Sequence, residues 1–89
     1  MVKKRQDLTG LDVERIFDDI KRAYKDQQIT TIDGVKIDFA DRWVHLRKSN
    51  TEPIMRIYAE APTEAEADAI AEEIISRFAP HETNLDAYK

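Results

Sequence analysis

His45-Leu46-Arg47-Lys48-Ser49-Asn50-Thr51-Glu52-Pro53-Ile54-Met55-Arg56 is a polar, basic loop held between two runs of alternating character. Before it, Val44 and Leu46 alternate with Trp43, His45 and Arg47. After it, Met55, Ile57 and Ala59 alternate with Arg56, Tyr58 and Glu60. A period of two is the signature of a strand with one buried face. Burying Val44, Leu46, Met55 and Ile57 together puts Arg47 and Arg56 on the other face, with Trp43, His45 and Tyr58. The loop itself has the donors an anion needs. Arg47 carries a permanent charge on a planar fork, and Ser49, Asn50 and Thr51 add short side-chain and backbone donors. Successive N–H groups that point one way form an anion-binding nest, which usually needs one residue at positive φ. Asn50 is the expected residue for that conformation, because Asn tolerates it better than any residue except Gly. Pro53 closes the loop before the second strand.

Outward from this hairpin the pattern alternates twice more. Gln28 to Ile32 is a short β-rich run, Asp33-Gly34 is a two-residue hairpin signal, and Val35, Ile37 and Phe39 alternate with Lys36 and Asp38. Upstream, Val13, Ile16, Phe17, Ile20 and Tyr24 recur at helical spacing, with Thr9 or Asp12 as N-cap. The aromatics of this stripe are read as core. Downstream, Thr63-Glu64-Ala65-Glu66 is a capping box after Pro62, followed by a stripe of Ala67, Ile70, Ala71, Ile74 and Phe78 that Pro80 ends. Its acidic residues form a solvated face. Residues 1–80 form a single domain on this reading, and 81–89 a flexible tail. The fold class is α+β: a four- or five-stranded antiparallel sheet with two helices on one face.

Composition narrows the chemistry. The chain has 89 residues, 42% hydrophobic and 36% charged, which suits one small soluble core. It has no Cys, and His45 and His81 lie too far apart in sequence to form a metal-ligand motif. No apolar run spans a membrane and no signal peptide follows Met1, so a cytoplasmic setting is expected. A net charge of −4 argues against a nucleic-acid partner. Between Asp41 and Arg56 the balance is reversed: Arg42, Arg47, Lys48 and Arg56 stand against only Asp41 and Glu52. A local basic patch on an acidic body suits a small anion. No nucleophile has a base in view, so no catalytic residue is assigned.

The run Arg47-Lys48-Ser49-Asn50-Thr51-Glu52-Pro53, continued by Ile54-Met55-Arg56-Ile57-Tyr58, resembles the phosphate-binding loop in the last domain of the α-D-phosphohexomutases, the phosphomannomutase and phosphoglucomutase superfamily. The family pattern Arg-x-Ser-(Gly or Asn)-Thr-Glu-Pro is met at every position, and the likeness extends to Thr31-Ile32-Asp33-Gly34-Val35-Lys36-Ile37 and the Glu-rich helix. The resemblance implies a fold similar to that of the TATA-box-binding protein, ordered (β)-α-β-β-β-β-α, with Val2 to Leu8 as an extra edge strand. It implies the fourth domain of a larger enzyme that interconverts hexose 1-phosphate and 6-phosphate through a bisphosphorylated intermediate. The partners are then a phosphosugar and the other three domains. Mg²⁺ and the reacting serine belong to the parent; this domain binds no cofactor or metal and is inactive alone. Arg47, Ser49, Asn50 and Thr51 are the implied phosphate contacts, and Lys48 alternates away to solvent. Glu52 braces the loop with Arg56 as its candidate partner, although Arg56 could instead add positive potential. His45 is a possible supporting residue, weighed with Trp43 against packing on a neighbouring domain. An RNA-binding or protein-interaction module is the alternative, with Trp43 and Tyr58 as stacking surfaces.

Overall fold

Apolar and polar residues that alternate along a strand bury one face and wet the other, and residues 35–38, 43–46 and 54–60 of this chain do so. The computed structural model describes residues 1–78. In order they form β1 (Val2–Asp7), α1 (Val13–Ala23), β2 (Gln28–Thr30), β3 (Val35–Asp38), β4 (Trp43–Lys48), β5 (Ile54–Glu60) and α2 (Glu64–Phe78). The five strands make one antiparallel sheet in the order β1-β5-β4-β3-β2. This is the expected α+β architecture, and the first segment is an edge strand, paired with β5. The helix stop at Pro80 and the tail 81–89 lie outside the described residues.

The core is the inner sheet face. Val44, Leu46, Met55, Ile57 and Ala59 are fully buried. Helix α1 covers them with Val13, Ile16 and Ile20, and α2 with Ala67, Ile70, Ala71, Ile74 and Ile75. Phe17, Tyr24 and Phe78 pack at the margin of this core, so both stripes work as packing surfaces. Asp12, not Thr9, caps α1: its carboxylate accepts the Arg15 N–H at 3.2 Å. Thr9 is occupied by Asp7, whose Oδ1 accepts both its N–H and its hydroxyl. At α2, Thr63 Oγ1 accepts the Glu66 N–H at 3.1 Å and donates to the Glu66 carboxylate at 3.0 Å. The same carboxylate takes a 2.7 Å bond from Arg42, which ties the β3–β4 turn to the start of α2.

Two local expectations differ from the structure. Strand β2 stops at Thr30, so residues 31–34 form a four-residue connection to β3 in place of a two-residue turn. The mirror-image two-residue turn with Asp33 and Gly34 at its centre needs positive φ at both, and only Gly34 has it, at 75°. Ile32 is consequently turned out and 93% exposed. Phe39 lies just past the end of β3, half-buried, and packs edge-on against Tyr24 at 5.6 Å between ring centroids.

Candidate functional site

Strand register decides which side chains meet on the outer face. Arg47 pairs with Arg56 across β4 and β5, and Arg56 pairs with Arg5 across β5 and β1. Three arginines therefore stand in one row over three neighbouring strands, all exposed. In the next row Tyr58 lies between Lys3 and His45. At the end of the Arg47–Arg56 pair, where the β4–β5 loop leaves the sheet, a cavity of about 230 Å³ opens. Arg47, Lys48, Ser49, Asn50, Arg56 and Tyr58 line it. Its lining holds three cations and no acid. Among the described residues, neither Lys48 nor Arg56 has a carboxylate within ion-pair distance. Like charges directly opposite each other in a sheet destabilise it, and an anion placed between them would relieve that repulsion.

The loop is closed by its own hydrogen bonds. The Ser49 N–H donates to the Ile54 carbonyl at 3.0 Å. Ser49 Oγ accepts the N–H groups of Thr51 and Glu52, each at 3.3 Å, and lies 3.4 Å from the Thr51 hydroxyl. A serine hydroxyl that takes the following amides makes a turn without any left-handed residue. The expectation of a positive φ at Asn50 is accordingly wrong: among the described residues only Gly10 and Gly34 have one. Asn50 lines the cavity all the same. Thr51 stands behind Ser49, outside the lining.

Of the two places expected for Arg56, the structure has the one that adds positive potential at the cavity. Glu52 makes no ion pair with Arg56 among the described residues; the loop uses its backbone N–H, while Arg56 faces the cavity beside Arg47. Lys48 is exposed, as its position implies, yet its side chain reaches the cavity rim. His45 stays out of the cavity. Its Nε2–H donates to the backbone carbonyl of Asp33 at 2.6 Å, and its ring leans on Tyr58, 6.4 Å away. Trp43 lies one row further on, under the Lys36 ammonium at 5.0 Å. Asp33, to which sequence reasoning gave no role, sets one carboxylate oxygen 3.1 Å from Arg47 Nε. Spacing offers no signal for that contact; only the 31–34 turn brings the two together.

Among the described residues no group of His, Asp and Glu is placed to hold a metal ion. None of the described helices is long and apolar enough to cross a membrane.

Residues 2–77 match the family described as "Phosphoglucomutase/phosphomannomutase, C-terminal domain". The chain is 46% identical over 77 residues to a phosphoglucosamine/phosphogalactosamine mutase of Sulfurisphaera tokodaii, covering 83% of this chain and 17% of that protein. It is 35% identical over 74 residues to a phosphomannomutase of Methanocaldococcus jannaschii, covering 83% and 16%. It is also 53% identical over 47 residues to a phosphoglucomutase/phosphomannomutase of Thermococcus kodakarensis, covering 53% and 10%. The chain thus spans less than a fifth of the length of these relatives.

Proposed function

The chain belongs to the phosphoglucomutase/phosphomannomutase C-terminal domain family, and from that premise we propose that it grips the phosphate of a hexose phosphate on behalf of a larger mutase. The contacts are Arg47, Ser49, Asn50 and Thr51, with Arg56 as a second guanidinium. The observation that carries this reading is the register of Arg47 with Arg56 beside a cavity lined by three cations and no acid. Two forks side by side can each present parallel N–H donors to phosphate oxygens, which favours phosphate over a monovalent anion. Ser49 and Asn50 line the cavity with the remaining donors, and Thr51 is one hydroxyl behind.

The chemistry of such a domain is positioning. Holding the phosphate that is not being transferred turns remote binding energy into orientation of the sugar hydroxyl that reacts. It also keeps a bisphosphorylated intermediate from leaving while it reorients. Ser49 is a ligand in this scheme, since its Oγ already accepts two amides and has no base beside it. The phosphoryl-accepting serine and the acidic ligands for Mg²⁺ belong to the other domains of the parent. No described cluster in this chain fits the metal, and the phosphate grip of Arg47, Ser49, Asn50 and Thr51 does not depend on it.

Titration of ¹⁵N-labelled chain with inorganic phosphate, glucose 6-phosphate and a single-stranded RNA, at equal ionic strength, tests this. The expected result is a response to phosphate and the sugar phosphate confined to residues 47–58. Shifts that appear only with RNA, centred on Trp43 and Tyr58, would replace it with the nucleic-acid reading. The purified chain alone should interconvert no hexose phosphates.

A further inference from the structure

The 31–34 turn rests on the end of β4, against His45 and Arg47 on the outer face and against the Leu46 backbone. Three contacts fix it there. The Asp33 carbonyl accepts the His45 Nε2–H at 2.6 Å, and the Asp33 carboxylate sits 3.1 Å from Arg47 Nε. Gly34, one residue beyond the Val35–Leu46 pair, passes so close to β4 that any Cβ there would strike the Leu46 carbonyl oxygen and lie 3.2 Å from Arg47 Cα. The turn is thus seated on the backbone from which Arg47 leaves the sheet.

Resting on the phosphate reading above, we infer that Asp33 is a positioning residue for the phosphate grip: it holds the Nε side of the Arg47 guanidinium so that the terminal nitrogens face the cavity. The ion pair contributes little to stability, because both side chains are about half exposed or more, at 48% and 64%. Its geometry has a clearer consequence. An Arg side chain has several soft torsions, and binding phosphate with a free one requires ordering it at that moment. A carboxylate already 3.1 Å from Nε restricts those torsions, removing part of that cost, and leaves the two terminal nitrogens for bidentate contact.

An opposite role, that of an internal anion competing with phosphate, would place the carboxylate in the cavity. Arg47 lines the cavity and Asp33 does not. The carboxylate meets Arg47 at Nε and is no part of the cavity lining, so it can steer without blocking. His45 serves the same end one step removed, since its bond to the Asp33 carbonyl holds the turn in place.

The two roles give opposite signs when Asp33 loses its charge, which makes the test direct. Phosphate affinity of the whole 89-residue chain is measured by NMR titration for the wild type, Asp33→Asn, Asp33→Glu and the pair Arg47→Lys and Arg47→Lys/Asp33→Asn. Relaxation of the Arg47 Nε–H resonance is recorded alongside. Positioning predicts that Asp33→Asn weakens phosphate binding roughly three- to tenfold, although it removes a negative charge beside the site. The Arg47 Nε–H becomes more mobile in that variant, and Asp33→Glu recovers part of the loss. With Lys at position 47 there is no fork to orient, so adding Asp33→Asn leaves affinity unchanged or raises it. Equal or tighter binding by Asp33→Asn in the Arg47 background overturns the inference while leaving the phosphate site intact. A wild type that does not respond to phosphate overturns the site and the inference together.

Discussion

Arg47 and Arg56 are cross-strand partners, directly opposite each other on the outer face of β4 and β5. Arg5 continues the row on the far side of Arg56. Arg47 has the Asp33 carboxylate beside it, and the three neighbouring guanidiniums still repel one another, a repulsion that a bound anion would relieve. On the phosphate reading, the stability of this domain and its ligand affinity are expected to be linked through the same residues.

Replacing Arg56 tests that link. In chloride buffer, Arg56→Gln should leave the fold as stable or raise its stability by about 0.2–1 kcal/mol, the size of a like-charge cross-strand pair. Phosphate should stabilise the wild type at constant ionic strength, by mass action on the native state, and the variant much less. Urea melts with and without phosphate would show both effects. A variant that is less stable without phosphate and equally stabilised by it would contradict this account.

Arg47→Ala should weaken phosphate binding by about tenfold or more, since a charge-assisted hydrogen bond is worth roughly 1.5–3 kcal/mol. Lys48→Ala should weaken it by a smaller factor. Lys48 lies on the cavity rim and adds positive potential, but it is a point charge without a fork. NMR titration of the two variants ranks them, and equal losses would mean that the site recognises charge alone.

Ser49 is expected to matter twice, as a ligand and as the acceptor that shapes the loop. Ser49→Ala removes the partner of the Thr51 and Glu52 amides, so phosphate binding should fall while global stability changes by under about 1 kcal/mol, the loop being exposed. Because no residue of the loop has positive φ, Asn50→Gly and Asn50→Ala should bind phosphate alike. Markedly tighter binding by the Gly variant would restore the nest geometry that the structure does not show.

The two left-handed glycines separate strain from collision. Gly10, at φ 80°, has open space where a Cβ would be, whereas Gly34 abuts the Leu46 carbonyl. Gly10→Ala should cost about 1–2 kcal/mol from backbone strain alone. Gly34→Ala should cost clearly more and also loosen the 31–34 turn. Equal losses in urea denaturation would show that the turn is not seated on β4 as described.

Tyr24 carries a pH signature. Burial first, and then its hydrogen bond to Glu73 at 2.8 Å, push its phenol up to about 12. A raised folded-state value means that this contribution to stability is fully present below the ordinary tyrosine range near pH 10. It is lost as pH rises through about 12. Tyr24→Phe should remove a step near pH 12 from the ultraviolet phenolate titration and flatten the decline in stability over that window. If the step persists in the variant, another tyrosine is responsible.

Much of this molecule is written in neighbouring residues. The periods of Val44/Leu46 and Met55/Ile57, the stripes of α1 and α2, the Thr63–Glu66 box and the run from Arg47 to Pro53 are local patterns. A strand or helix is defined by torsions and side-chain directions within a few residues, so such patterns suffice to place Arg47 and Arg56 on one face. The family of the loop is legible for the same reason: its residues are contiguous.

The tertiary structure alone decided what lies beside that loop. No spacing tells that β1 pairs with β5, and without that pairing Arg5 is simply one of several charges near the start of the chain. Nor does any local rule bring Asp33 to Arg47, which goes with the close approach of Gly34 to the β4 backbone at Leu46. The backbone of Asn50 was misjudged because propensity says what a residue tolerates, whereas the Ser49 hydroxyl, by accepting two amides, set what the loop adopts. Residue types and their periods determine which groups are available and which way they face. Which of them meet is decided by strand order and by competition among hydrogen bonds, and both act between residues far apart in the chain or at odds with one another's preferences.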